Sequence, residues 1–345
     1  MSNETIVIFK NDAVGDLVHS IPAIHKIIEN SGDKKITVFL SKRSKNFSFL
    51  INGKNIAIKI LNYDLTLYDR FLILKYLFNN KIKNAYILTP KNFYYFLPLI
   101  FKKIKFFAIC VNNINNYKRP SEFFRKFLFR YVINNRALKM RKSSSEIQME
   151  LINNGINEVT TYNYQSFLKV NTNTIKILPK NYIYFHFTKN KFHRLGWGIN
   201  EVLILLKELK KYNKFIFVTK DIEKDKYDDL FKKNFNYYNF KSNQFINNQK
   251  NIYFLDDIEG LNLFNIIGYA ENIVACHGMV TNLASLLNKP VLDIFDFRME
   301  TPELYRTARS SFYEFKPKYK GYNFILPKRN INKILKKFKF ALAKS

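Results

Sequence analysis

The stretch KNDAVGDLVHSIPA, residues 10–23, sets a carboxylate, Asp16, just behind the apolar run TIVIF. It also stands at the head of a segment that carries Leu17, Ile21, Ile24 and Ile28 at helical spacing. An acid in the first turn of a helix satisfies free N–H groups there. Beyond the end of a strand in an α/β protein, the same acid is placed to take a proton from a substrate hydroxyl. The residues alone leave cap and base open. In either role the helix N-terminus is expected to lower the pKa of Asp16 and keep it ionised. Lys10, Asn11 and Gly15 share the loop. Lys10 either steers an anionic ligand or is solvated. Pro22 implies a kink or a late helix start.

Short β-type runs alternate with helical stretches, twice over, and these elements must hold the loop. In the first half the expected strands are 5–9, 36–40, 57–61, 84–89 and 105–111. In the second half YIYFHF (182–187), FIFVT (215–219), NIYFL (251–255), NIVAC (272–276) and PVLDIF (290–295) read as buried strands. Helices are expected over 201–212, 223–233, 260–270 and 279–287. The alternation implies parallel sheets covered on both faces. Two such sets imply two Rossmann-like domains, with a seam near 165–180 where VNTNTIKILPKN is polar. The expected division is 1–172, 173–327 and a basic amphipathic helix over 328–345. Ligands in open α/β sheets sit beyond the carboxyl ends of strands. The loops 10–16, 188–196, 219–223, 276–282 and 296–301 hold those places.

The chain has 345 residues and is 47% apolar, enough for sizeable cores. Its formal charge of +30 points to polyanionic partners, although Lys, Asn, Ile, Phe and Tyr are also the residues that AT-rich codons favour. Two cysteines, Cys110 and Cys276, are too few for a disulfide framework and fit a reducing compartment. The N-terminus lacks the pattern of a signal peptide. No apolar run reaches bilayer-spanning length; the nearest, FYYFLPLIF (93–101), is cut short by Lys102 and Lys103. The expected location is cytoplasmic.

IVIFKNDAVGDLVHSIPAI resembles the opening of the ADP-heptose:lipopolysaccharide heptosyltransferase family (glycosyltransferase family 9): a strand, a basic residue, a loop, Gly-Asp and a Pro-containing helix. FHFTKNKFHRLGWGINEVLILLKEL is similar to the start of that family's donor domain, and LDDIEGLNLFNIIGYAENIVACHGMVTNLASLLNKPVLDIF to its donor-site stretch. The resemblance implies a GT-B fold, two Rossmann-like domains facing across a cleft, with the acceptor on the first and a nucleotide sugar on the second. It implies an inverting, metal-independent glycosyltransferase that uses the nucleotide sugar as co-substrate and no cofactor. The family's catalytic base falls on Asp16, and its phosphate-binding Thr and Lys on Thr188 and Lys191, with Lys189, His193 and Arg194 close by. Where the family has Asp-Thr-Gly, this chain has Cys276-His277-Gly278, and the family's following His becomes Thr281 or Asn282.

Transfer of this kind releases a nucleoside diphosphate, whose growing charge must be met. No Asp-x-Asp metal motif and no Cys/His cluster stands out: Asp293 and Asp296 are three apart, and Asp256 and Asp257 read as a helix lead-in. Helix N-termini and cations are then expected to do the work. Gly278 allows close approach of backbone to phosphate, and Thr281, Asn282, Arg194 and His277 add donors. Lys10, Asn11 and Gly15 are the acceptor-side candidates.

The segment 118–142 has nine basic residues among twenty-five, interleaved with Phe and Tyr. It reads as an acceptor and membrane face, as a single-stranded nucleic-acid platform, or as a helix turning its aromatics inward. The expected partners are the donor, an anionic glycan or glycolipid acceptor such as lipopolysaccharide, and the inner membrane surface, with no nucleic acid. Two rival readings remain: a nucleotide-sugar epimerase on the same scaffold, and a non-catalytic polyanion- or nucleic-acid-binding protein.

Overall fold

The computed structural model describes residues 4–111, 129, 131–135, 143–153, 179–211, 215–221, 226–258, 260–295, 316–317, 320–325, 332 and 336. The chain divides into two compact units, Met1–Tyr162 with Arg306–Lys316, and Asn163–Tyr305 with Pro317–Ser345. Most of the segment 118–142, the loop 296–301 and nearly all of the tail from 328 lie outside the described residues.

The first unit holds a six-stranded, wholly parallel sheet of β1 (Thr5–Lys10), β2 (Lys35–Ser41), β3 (Ile56–Leu61), β4 (Ile82–Ile87), β5 (Lys105–Val111) and β6 (Tyr131–Asn135). Their order is 3-2-1-4-5-6. β1 is buried throughout its length, as a central parallel strand covered on both faces must be. At the edge, β3 shows the alternation of a half-covered strand. Five strands match the expectation within three residues at each end. β6 is the sixth, and it corrects the helical reading of 118–142 for its own five residues.

Helix α1 (Val14–Ser31) runs unbroken through Pro22, so the proline marks no late start. Pro22 has no N–H to give the Val18 carbonyl, but the buried stripe of Leu17, Ile21, Ile24 and Ile27 holds the helix to the sheet. Helices α2 (Leu67–Asn79) and α3 (Asn92–Ile100) pack together on the sheet face that carries Val7, Phe9, Phe39, Ala85, Ile87 and Phe106. Helix α4 (Ser144–Ile152) packs on α1.

α2 starts at a capping box. The Thr66 hydroxyl accepts from the Asp69 N–H at 3.1 Å, while Asp69 Oδ2 accepts from the Thr66 N–H at 2.9 Å and from Asn62 Nδ2 at 2.8 Å. Burial pushes the Asp69 carboxyl up, but the hydrogen bonds from Asn62 and Thr66 outweigh it and leave the pKa below its usual 3.8. A depressed folded-state pKa gives stability that is present above 3.8 and is lost as pH falls through the folded value. Asp69→Ala is therefore expected to cost about 1–2 kcal/mol at neutral pH. In urea melts, its deficit against wild type should shrink in acid; a deficit independent of pH would refute the assignment.

The second unit has an eight-stranded sheet in the order 10-9-11-8-7-12-13-14. Its strands are β7 (Tyr182–Phe187), β8 (Phe215–Lys220), β9 (Asn236–Asn239), β10 (Gln244–Ile246), β11 (Ile252–Asp256), β12 (Asn272–Cys276), β13 (Val291–Ile294) and β14 (Tyr322–Ile325). All neighbours pair in parallel except β9 and β10, an edge hairpin. The helices are α5 (Lys189–Arg194), α6 (Ile199–Lys210), α7 (Lys226–Asn234), α8 (Gly260–Tyr269) and α9 (Met279–Leu286). Trp197 belongs to the core, where it packs on Phe192. Each unit is thus a doubly wound, Rossmann-like sheet with its own apolar core, as the alternation of elements predicts.

Candidate functional site

Strand order fixes where a ligand belongs in each unit. In the first sheet the chain leaves β1 toward β2 on one side, and β4 flanks it on the other. The loop after β1, with Asp16, therefore stands at the topological switch point. In the second sheet β7 lies between β8 and β12, so the switch point falls between the loops after β7 and β12. These loops carry Thr188 and Lys191 on one side, His277 and Gly278 on the other.

Asp16 is the third residue of α1, and the N–H of Ala13, the residue that precedes the helix, is near enough to pull its pKa down slightly. Ala13 has no side chain with which to close a capping box. The expected depression of the Asp16 pKa is nevertheless overturned. Burial pushes the Asp16 carboxyl above its usual 3.8; the Asp12 carboxylate adds to this, while Lys10 and the Ala13 N–H oppose it and lose. Desolvation of the charged form outweighs the helix terminus here.

Lys10 neither steers nor is solvated. It is 2% exposed, with Nζ 3.0 Å from Asp12 Oδ2 and 3.4 Å from the Leu88 carbonyl oxygen to which it donates. Asn11 is likewise sunk in the fold: Nδ2 donates to the Asn62 carbonyl at 3.2 Å, and Oδ1 accepts from the Tyr94 hydroxyl at 2.6 Å. Both hold the loop in place, and of the acceptor-side candidates only Gly15 reaches the partly open surface beside Asp16.

Sequence reading missed the neighbours of this loop. Arg43 stacks over the Tyr63 ring at 4.0 Å, and Lys91 Nζ lies 4.7 Å from the same ring and donates to the Tyr63 carbonyl. Burial of Tyr63 and then the nearby Asp16 carboxylate raise the Tyr63 pKa; burial lowers that of Lys91. Arg43, Tyr63 and Lys91 follow β2, β3 and β4, all at the carboxyl edge that holds Asp16. That shared edge was the available signal.

In the second unit Lys191, His277 and Gly278 come together. Lys191 Nζ donates to the His277 carbonyl, and a Cβ built on Gly278 would stand 2.7 Å from that ammonium. The absence of a side chain at 278 is what makes room for Lys191. His277 is clamped on every side: its N–H donates to the Ile294 carbonyl at 3.1 Å, its ring lies 4.5 Å from that of Phe295, and Nδ1 donates to Asp293 Oδ2 at 2.6 Å. Asp293 is fully buried and also accepts from the Tyr322 hydroxyl of β14 at 2.7 Å. With Nδ1–H held by the carboxylate, Nε2 is the ring atom left for a ligand.

Thr281 is corrected. It is fully buried, and its hydroxyl accepts from the Gly278 N–H at 3.0 Å and donates to the Gly278 carbonyl at 2.9 Å, so it caps α9 instead of offering a donor to a ligand. Asn282 is buried too, one turn into the helix, with its Oδ1 unbonded. Thr188 precedes α5 without capping it. Arg194 is exposed, and its Nε donates to the Asn190 carbonyl of its own helix at 3.1 Å. Asp256 and Asp257 tie strand ends, accepting from the Tyr237 hydroxyl at 2.9 Å and from Asn239 Nδ2 at 2.9 Å. Among the described residues no group of three His, Cys, Asp or Glu side chains is placed to hold a metal ion.

No family profile matches the sequence, and none of the curated proteins matches it. Solved structures do share its fold. A glycosyl transferase of family 9 from Veillonella parvula superposes with a TM-score of 0.68 at 8% identity, over 100% of this chain and 99% of its own. The heptosyltransferase WaaC of E. coli, solved with ADP-2-deoxy-2-fluoro heptose, gives 0.62 at 11% identity over 99% of each chain. UDP-GlcNAc 2-epimerase from Neisseria meningitidis, bound to UDP-GlcNAc, gives 0.55 at 13% identity, over 99% of this chain and 91% of its own. The fold is therefore the GT-B type of the heptosyltransferases, the class that the resemblance implied. At these identities the likeness speaks for the fold.

Proposed function

We propose that the protein is an inverting, metal-independent glycosyltransferase that moves a sugar from a nucleotide-sugar donor to lipopolysaccharide or another anionic cell-envelope glycan, at the cytoplasmic face of the inner membrane. One observation carries the reading: each sheet has chemistry at its switch point, a carboxylate of raised pKa in the first and a cation–glycine–histidine group in the second. Binding of nucleic acid needs neither.

In the proposed reaction the Asp16 carboxylate takes the proton of an acceptor hydroxyl. The oxygen attacks the anomeric carbon as the bond from that carbon to the phosphate oxygen breaks on the opposite face, and the nucleoside diphosphate leaves with the electron pair. A base of raised pKa is the stronger proton acceptor, provided that it is ionised at the working pH. Lys191 and the first N–H groups of α9 would meet the charge on the diphosphate, with His277 Nε2 beside them. Cys276-His277-Gly278 in place of the family's Asp-Thr-Gly supports a donor other than ADP-heptose.

The test is calorimetric binding of a panel of nucleotide sugars, with a chelator present, followed by assay of nucleoside diphosphate release. One donor is expected to bind and to be slowly hydrolysed by the protein without metal. Failure of every nucleotide and nucleotide sugar to bind would sink the donor assignment.

A further inference from the structure

The first unit carries an apolar surface that its own fold does not use. Nine large hydrophobic side chains are exposed among the described residues, and seven of them stand on α2 and α3: Leu67, Tyr68, Phe71 and Phe78 on the first, Phe96, Leu99 and Ile100 on the second. Leu67 is 81% exposed and Phe78 67%. Scattered apolar residues need no explanation, but a concentration on two adjoining helices does. The helices are neighbours, since they pack on one sheet face and the rings of Phe78 and Phe101 meet at 4.6 Å. Each is two-sided. The inward faces bury Ile73, Leu77, Tyr94, Tyr95 and Leu97, while Leu67, Phe71 and Phe78 recur along the outward side of α2.

Charge decides what this surface fits. From Leu65 to Lys105 the chain has eight Lys and Arg residues and a single acid, Asp69, which is buried in the cap of α2. Arg70, Lys75, Lys81, Lys102 and Lys103 are exposed around the apolar side chains. A second copy of the chain would bring two such basic rims together. Nucleic acid could stack on Tyr68, Phe71, Phe78 and Phe96 but would leave the exposed aliphatic side chains Leu67, Leu99 and Ile100 against water, whereas acyl chains cover both kinds. Aliphatic and aromatic side chains interspersed along the chain with long exposed cations match the boundary of an anionic bilayer, where the chains enter the acyl region and the cations reach headgroups.

We infer that the outward face of α2 and α3 is a membrane-docking surface that seats the first unit on an anionic lipid bilayer. The inference deepens the proposed transfer to a membrane-held acceptor and rests on that reading for its purpose, while the surface itself includes neither Asp16 nor Lys191. Docking here would anchor the unit that carries Asp16.

The test uses the full chain in sedimentation with vesicles of phosphatidylcholine, alone or mixed with phosphatidylglycerol. Wild type is expected to bind the mixed vesicles and to leave the neutral ones, with binding weakened by salt. Phe71→Ser with Phe96→Ser should weaken binding by about tenfold or more. Lys102→Glu with Lys103→Glu should remove the preference for phosphatidylglycerol. Both pairs are exposed, so unchanged melting curves would show that the fold is intact. Equal binding by the Phe variant, or no vesicle binding by wild type, overturns the inference. So does a wild-type dimer that the Phe variant converts to monomer without any vesicle binding. Nucleotide-sugar binding, measured on the same preparations without vesicles, separates the readings: its failure in wild type would refute the donor site and leave the vesicle result standing.

Discussion

Asp16→Asn is expected to lower sugar transfer by about 10²–10⁴-fold and, at neutral pH, to make the protein harder to unfold. The two effects share one cause. Burial, reinforced by Asp12, raises the folded-state pKa of Asp16 above 3.8 in spite of Lys10 and the Ala13 N–H. For an acid, a raised folded pKa means that ionisation costs stability: the penalty is absent below 3.8 and grows as pH rises through the folded value. Asn keeps the shape of Asp and carries no charge, so the penalty disappears along with the base. A simple cap behaves in the opposite way, since its loss costs stability and leaves turnover alone. Melting temperature and nucleoside diphosphate release, measured on one preparation, decide between them. A less stable Asp16→Asn protein with full activity would end the assignment. The pH profile gives a second check. Wild-type turnover should fall on acidification at a pH above the ordinary 3.8 of an Asp carboxyl.

The fold was largely legible because burial on both faces of a parallel sheet writes itself into the sequence as continuous apolar runs. TIVIFK and YIYFHF could hardly be anything else. The missed strands share a different physics. β9 reads NYYN and is wholly buried, but its asparagines are satisfied by side-chain bonds, as Asn236 Nδ2 is by the Lys250 carbonyl at 2.7 Å. Polarity therefore hid the strand. β6 lay in a stretch whose density of charge outweighed YVIN, and β14 is a short edge strand a long way down the chain from its neighbour β13.

The site was legible at the level of loops and not of side chains. Strand ends and glycines mark the loops that hold Asp16 and Gly278, and Lys191 enters only through the family resemblance. What each charge meets is a tertiary fact. Nothing near Lys10 in sequence reveals that its ammonium is buried and reaches the Leu88 carbonyl, nor that a tyrosine from β14 joins Asp293 in holding His277. The Thr281 hydroxyl is the instructive error. A residue three places after a glycine, at a helix start, was read as a ligand donor, but the glycine supplies no cap of its own and the threonine takes that task.

Lys191→Ala is expected to weaken donor binding by about 10–100-fold, the worth of a charge-assisted bond to phosphate. Gly278→Ala should reproduce most of that loss without touching a charged residue. The added methyl would fall 2.7 Å from Lys191 Nζ, and the next atom, the Cys276 carbonyl oxygen, is 3.9 Å away. The far end of a flexible side chain yields before backbone does, so the ammonium is displaced while the fold and the melting temperature are kept. Because both substitutions act through one cation, the double variant should bind the donor no worse than Lys191→Ala alone. Calorimetry on the three proteins measures this. Losses that add would mean that Gly278 and Lys191 serve the ligand separately, and an unchanged affinity in Gly278→Ala would remove the phosphate from this loop.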